Sequence, residues 1–176
     1  MRDQAISLIA QAAINSLTLE ERRNLIEEWW GHAGEVPELS VELYQEVTHE
    51  ESPGDASDLR YDPLVLHALR MQRLGVTNAY LSEKLLALGY EDNIDDPEPQ
   101  LLVCPCCSYK TLSHRGHYEI CAVCFWEDDG GNDTARYSSP NHMPLDEARR
   151  NFVLFGACSP QHTSCVDPDG KKKYRL

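Results

Sequence analysis

The chain of 176 residues carries a formal net charge of -13 at pH 7, and 41% of its residues are hydrophobic. This length and composition are typical of a globular protein with one medium domain or two small ones. No apolar run is long enough for a transmembrane helix, and the N-terminus lacks the pattern of a secretory signal, so we expect a cytoplasmic protein without a membrane partner.

The first part of the chain, residues 1–89, is predicted to be an acidic domain of about five helices. Apolar residues recur there at three- and four-residue intervals, which is the pattern of amphipathic helices. Thr18, followed three residues later by Glu21, is a capping box that starts one of them. The predicted helices span residues 3–15, 18–31, 37–48, 62–75 and 77–89.

The excess of acid lies in the first hundred residues, because residues 101–176 contain nine acidic and nine basic residues. Residues 90–100 are acidic and contain two prolines, which is typical of a linker between domains. An acidic surface repels nucleic acid and attracts basic partners. The alternative interpretation is that the acid merely keeps a helical surface in solution.

The second part of the chain, residues 101–158, is predicted to be a small zinc ribbon with one flanking helix at 145–156. Residues 159–176 are expected to form an irregular, basic tail. The predicted fold class is therefore α+β, with an all-helical N-terminal domain followed by the zinc ribbon. The other predicted elements of this part are strands at residues 101–103, 109–112 and 117–120 and a polar loop at residues 127–144.

Four cysteines carry the strongest chemical signal in the chain. They form two Cys-x-x-Cys pairs, Cys104 with Cys107 and Cys121 with Cys124, and thirteen residues separate the pairs. This spacing matches a four-cysteine zinc site. Four thiolates at about 2.3 Å complete a tetrahedron that leaves no position for water. We therefore predict one structural zinc ion rather than a catalytic one.

The other three cysteines leave alternatives open. Cys106 lies inside the first pair and has no assigned role, since adjacent cysteines rarely point into one pocket. Cys158, His162 and Cys165 form an incomplete set for a second metal ion, and free thiols are the preferred interpretation. The Cys-Pro-x-Cys pattern at 104–107 also occurs in thioredoxin-like redox sites, but the residues after it do not predict a helix.

Two further functions remain as alternatives. Metal-assisted hydrolysis would use the carboxylates at 127–129, although no catalytic motif accompanies them. We instead expect these acids to cap their loop and to hold Arg115 or Arg136 in ion pairs. A nucleic-acid-binding regulator would use the zinc ribbon, but the basic residues of the tail alone support that function.

The order of the motifs resembles that of the cysteine-rich CPCC family, a bacterial group, over about residues 101–158. Two positions depart from the family pattern, because Ser108 replaces a glycine and Ala122 replaces a proline. Both changes affect the rigidity of a turn rather than metal ligation. Helical patterns such as ERRNLIEEWW also resemble the region that precedes this domain in longer members. The motifs are CPCC at 104–107, YEICAVCFWEDDG at 118–130, PNHMPLDEARRNF at 140–152 and FGAC at 155–158.

The resemblance implies a function as well as a fold. Members of the family often accompany polymorphic toxin genes, and the family supplies no catalytic residues. It therefore implies a non-enzymatic immunity protein that neutralises a cognate toxin by protein–protein contact. Many such toxins act on nucleic acid and are basic, so a basic protein partner is expected, and the acidic helices are the leading candidates for its binding surface. The sequence does not identify the binding residues.

Overall fold

The computed structural model describes residues 1–37, 39–91 and 93–176. These residues form seven α-helices, mostly in the N-terminal part, and two small antiparallel sheets in the C-terminal part. This arrangement confirms the predicted α+β class. The predicted third helix and the predicted linker include Glu38 and Asp92 respectively, and both residues lie outside the described ranges.

The chain divides into two compact units that interleave along the sequence. The first unit combines Met1–Leu74 with Leu81–Asp96, and the second combines Gly75–Tyr80 with Pro97–Leu176. Within the described ranges, no helix combines the length and the apolar character that crossing a membrane requires.

The N-terminal helices agree with the periodicity of the sequence. The predicted capping box is present: Thr18 Oγ1 accepts a hydrogen bond from the backbone N–H of Glu21 at 3.2 Å, and the backbone N–H of Thr18 donates to Glu21 Oε2 at 2.8 Å. The helices are α1 (Arg2–Ile14), α2 (Leu19–Glu28), α3 (Val41–His49), α4 (Asp62–Met71) and α5 (Asn78–Ala87), with short 3-10 segments at Ala33–Glu35 and Leu59–Tyr61.

Helix α3 begins later than predicted. The sequence pattern predicts a start at Pro37, whereas the helix begins at Val41. Ser40 determines this start, because its hydroxyl accepts a hydrogen bond from the backbone N–H of Leu43 at 3.2 Å. A serine N-cap satisfies one of the free N–H groups of the first turn, and this favours the later start.

The second unit contains four short strands and two helices. The predicted strand at 117–120 is wrong: Tyr118 has φ of +59°, which is incompatible with an extended strand, and the region contributes a single bridge between Ile120 and Glu127. A hairpin lies instead within the predicted loop at 127–144. The elements are β1 (Leu102–Val103) paired with β2 (Lys110–Leu112), β3 (Tyr137–Ser138) paired with β4 (Met143–Pro144), α6 (Leu145–Phe155) and α7 (Gly170–Lys173).

Residues 159–176 differ from the irregular tail that the sequence predicts. They contain a 3-10 segment at Pro160–His162 as well as α7, and the residues after α7 are held in place. The backbone N–H of Thr77 donates to the Lys173 carbonyl at 2.8 Å, and that of Lys110 donates to the Arg175 carbonyl at 2.7 Å. The hydrogen bond of Thr77 ties residues 75–80 to α7, and these residues belong to the second unit.

The core of the first unit surrounds a buried arginine. Its apolar residues come mainly from α1 to α4 and the 3-10 segment before α4, and they include Ile26, Val47, Tyr61, Leu64 and Val65. Arg22 is only 8% exposed among them.

The guanidinium of Arg22 joins α2 to the chain before α4 and to the first residue of α4. It donates to the carbonyl oxygens of Ala56 at 2.6 Å and Asp58 at 3.0 Å and to Asp62 Oδ1 at 2.6 Å. Each partner would lose a hydrogen bond if the guanidinium were removed, and a buried polar group without a partner costs about 1–3 kcal/mol.

We predict that Arg22→Met lowers the free energy of unfolding of the first unit by about 3 kcal/mol, because it leaves the acceptors around it unpaired. The matched control is Arg23→Met, which removes the same charge from the next residue, a half-buried one. We expect it to change stability by less than about 0.5 kcal/mol. Urea unfolding followed by far-ultraviolet circular dichroism measures both. Equal effects of the two variants would contradict this role of Arg22.

Candidate metal centre

The first cysteine pair lies in a tight turn that follows β1. The backbone N–H of Cys104 donates to the Tyr109 carbonyl at 2.8 Å, and the N–H of Ser108 donates back to the Cys104 carbonyl at 3.0 Å. These two hydrogen bonds close the loop between β1 and β2. They place the side chains of Cys104 and Cys107 inside the second unit, where both are buried.

The second pair repeats this turn. The N–H of Cys121 donates to the Trp126 carbonyl at 2.8 Å, and the N–H of Phe125 donates to the Cys121 carbonyl at 2.9 Å. The residue that follows each pair adopts the left-handed conformation, with φ of +68° at Ser108 and +66° at Phe125. The two turns are thus copies of one local structure.

The two turns bring four sulfur atoms together. Cys104 Sγ lies 3.7 Å from Cys124 Sγ, and Cys107 Sγ lies 3.5 Å from Cys121 Sγ. All four sulfur atoms lie within 4.8 Å of one another. A tetrahedron with metal–sulfur bonds of about 2.3 Å has edges of about 3.8 Å, so the spacing suits a single ion. The four side chains are at most 5% exposed.

Crowding of the thiols shifts their ionisation in opposite directions. Hydrogen bonding among the sulfur atoms, first of all with Cys104, raises the pKa values of Cys107 and Cys124 and lowers the pKa of Cys121. The thiolate of Cys121 is therefore favoured, because the neighbouring thiols can donate hydrogen bonds to it. All four sulfurs ionise together only when a cation compensates their charge, and thiols release their protons on metal binding.

Two donors from the protein support the thiolate of Cys121. Thr111 Oγ1 donates to Cys121 Sγ at 3.1 Å, and the backbone N–H of Val123 approaches the same sulfur at 3.4 Å. No motif in the sequence predicts the contact of Thr111 with Cys121. The position of Thr111 in β2, next to the buried Leu112, indicates a partly buried hydroxyl, but only the packing of β2 against the second turn identifies its acceptor.

The remaining cysteines lie outside the group of four. Cys106 and Cys158 are buried, whereas Cys165 is exposed, and none of the seven cysteines forms a disulfide. Cys158 Sγ lies 3.4 Å from His162 Nδ1, and burial raises the pKa of the Cys158 thiol to about 12. In the described part of the chain, the four cysteines of the two pairs are the one cluster with the geometry of a metal site.

Neither pair of cysteines has the surroundings expected of a thioredoxin-like site. Such a site starts a helix, whereas the residues after Cys107 lead into β2.

Two of the carboxylates after the second cysteine pair form the expected ion pairs with arginines. Asp128 is completely buried and forms an ion pair with Arg115 Nε at 2.8 Å, while Asp129 pairs with Arg136 at 2.9 Å. Asp128 also accepts a hydrogen bond from the backbone N–H of Gly116 at 2.7 Å. Two of the three acids at 127–129 thus hold loops together instead of facing a substrate.

Basic residues near the C-terminus are also paired with acids. Lys172 lies 2.9 Å from Asp169, and Arg175 lies 2.8 Å from Glu98. These ion pairs partly neutralise the tail, which reduces its attraction for phosphate groups.

We predict that Ser108→Gly stabilises the metal-loaded protein by about 1 kcal/mol, because glycine adopts the left-handed conformation without the steric cost of a side chain. The matched control is Ser113→Gly at an exposed position without a positive φ. There glycine only adds freedom to the unfolded chain, so a small loss of stability is expected. Thermal unfolding compares the variants, and an unchanged midpoint for Ser108→Gly would contradict a strained turn.

We predict that the reduced full-length chain binds one metal ion, and that Cys107→Ser removes most of it because a serine hydroxyl does not ionise at neutral pH. Cys106→Ser is the matched control, since Cys106 is equally buried but lies outside the cluster of four. Plasma mass spectrometry of the purified variants measures the metal content. Equal loss of metal from both variants would show that the ligand set is different.

Comparison with known proteins agrees with the motifs. Residues 102–172 match the family model described as Cysteine-rich CPCC, and the match contains the four clustered cysteines and continues beyond residue 158 into α7. Searches of curated proteins and of solved structures found no significant match. The match over residues 102–172 therefore confirms the resemblance to the cysteine-rich CPCC family that the order of the motifs predicts.

Proposed function

We propose that this is a non-enzymatic protein that acts by binding another protein, and that a structural zinc ion holds its CPCC domain together. The closed geometry of the cysteine cluster carries the proposal. Four buried sulfur donors satisfy a tetrahedral ion completely, so no coordination position is left for a water molecule or a substrate. A site of this kind contributes folding energy rather than catalysis.

Zinc is the metal that we propose for this cluster. A tetrahedral set of four thiolates suits zinc or iron. Structural zinc sites commonly combine two Cys-x-x-Cys pairs, and zinc does not require a change of oxidation state. We place the protein in the cytosol, where glutathione keeps thiols reduced and available to the metal. A zinc-loaded protein is colourless, whereas visible absorption from iron–thiolate charge transfer would contradict this choice.

The partner that we propose is a basic protein. Exposed acids are concentrated on α2, on α3 and in the loop after α3, and α3 also exposes two apolar side chains, Val41 and Tyr44. Acidic helices with an exposed aromatic residue support steered association followed by specific contact. The exposed acids of these segments include Glu20, Glu27, Glu28, Glu42, Glu50 and Glu51.

The specific biological role that we propose is immunity to a cognate toxin. This role rests on the resemblance to CPCC proteins that accompany toxin genes, and the acidity of residues 1–100 is compatible with a basic toxin. An affinity pull-down from the native cell, followed by an assay of the captured protein, tests it. Capture of a toxic protein whose activity this chain blocks is the expected result.

We predict that the association rate constant with this partner falls by at least about tenfold as salt rises from about 50 mM to about 500 mM, because ions screen the attraction between opposite charges. Reversing two exposed charges with Glu20→Lys and Glu27→Lys lowers the rate at low salt. The matched control, Asp146→Lys, reverses a charge in the electrically neutral part of the chain. Stopped-flow fluorescence measures these rates.

Two results would contradict the proposal. One is an association rate that does not depend on salt. The other is tight binding of the full chain to nucleic acid in a gel-shift titration at low salt, which would favour the regulator instead. The full chain is needed for this titration because residues 75–80 belong to the same compact unit as the CPCC domain.

A further inference from the structure

A pocket of about 700 Å³ lies within the CPCC domain. Its walls come from the second cysteine turn, the β3–β4 hairpin, α6 and the 3-10 segment at Pro160–His162. The function proposed above makes no use of it. Its chemistry comes mainly from five side chains: Phe125, Glu127, His142, Glu147 and His162.

The pocket has acidic groups and no strongly basic ones. Neither a lysine nor an arginine lines it. The carboxylates of Glu127 and Glu147 have no hydrogen bond or ion pair with any other described residue, in contrast to Asp128 and Asp129, which hold arginines. Glu147 lies in the first turn of α6, near the positive end of the helix dipole.

Aromatic rings form another part of the wall. The rings of Phe125 and His162 lie with their centroids 4.8 Å apart at an angle of 52°. The face of an aromatic ring attracts a cation, and a planar guanidinium can stack on it while it donates to nearby carboxylates. Carboxylates and a ring face in one pocket are thus complementary to an arginine side chain.

Neighbouring residues hold this pocket in shape. The side chain of Asn141 is 6% exposed, and it accepts from the N–H of Glu127 at 2.9 Å and donates to the Glu127 carbonyl at 2.8 Å. It also donates to Ser138 Oγ at 2.8 Å. Phe125 is fixed by the second cysteine turn itself, through its hydrogen bond to the Cys121 carbonyl. The pocket is therefore preformed, and its shape depends on Asn141 and on the second cysteine turn.

We propose that this pocket binds the guanidinium of an arginine side chain that the basic partner protein presents. The carboxylates of Glu127 and Glu147 accept its N–H groups, and the ring of Phe125 packs against its plane. The inference rests on the proposed function only for the source of the arginine. The recognition itself concerns residues of the CPCC domain and not the acidic helices.

The test uses the zinc-loaded full chain and a small probe, N-acetyl-arginine amide, in a titration followed by ¹H–¹⁵N NMR. We expect saturable shifts at Glu127, Asn141 and the side-chain amide of Gln161, with a dissociation constant in the millimolar range, which is typical of a single side chain. N-acetyl-citrulline amide has nearly the same shape without the charge, and we expect at least about tenfold weaker binding of it.

Two variants locate the site. The double variant Glu127→Gln and Glu147→Gln keeps the shape of the pocket and should weaken arginine binding by at least about fivefold. Asp146→Asn removes a charge one residue from Glu147, outside the pocket lining, and should leave binding unchanged.

Equal shifts with the citrulline probe, or no saturable shifts with the arginine probe, would overturn the inference. Unchanged binding by the double variant would do the same. None of these results depends on the partner protein, so each would leave the salt-dependent association of the acidic helices to be judged separately.

Discussion

The second unit of this protein depends on the mutual approach of four buried sulfur atoms. Cysteines make up much of its core, together with a few apolar side chains such as Leu112, Trp126 and Leu145. A core of this size contributes little by apolar burial alone, and a metal ion supplies the missing stability in small domains. The second cysteine turn is also linked to the residues after α6, because the Cys124 carbonyl accepts a hydrogen bond from the N–H of Cys158.

The sequence predicts the parts of the fold that local rules determine. Helix periodicity and the capping box at Thr18 give α1, α2 and α6 closely, and the cysteine spacing identifies the residues that cluster. Nonlocal contacts determine the rest. The left-handed Tyr118 ends the predicted strand at 117–120, and hydrogen bonds from Thr77 and Lys110 hold a tail that composition alone describes as irregular. No sequence pattern predicts these long-range hydrogen bonds.

The same limit applies to the candidate site. The cysteine spacing identifies four clustered side chains, but the support from Thr111 and the burial of Cys158 depend on packing. The expectation that acids after Cys124 pair with Arg115 and Arg136 agrees with the structure, because short loops rich in opposite charges tend to form local ion pairs. Glu127 differs from its two neighbours, since its side chain lines a pocket that only the folded chain creates.

We propose that a closed set of four thiolates holds a structural zinc ion, and X-ray absorption at the zinc edge of the protein can test this. We expect a first coordination shell of four sulfur atoms at about 2.3 Å, with no nitrogen or oxygen neighbour. A shell that contains an oxygen or nitrogen ligand would indicate an open coordination position. That result would contradict a purely structural centre and would reopen the question of catalysis.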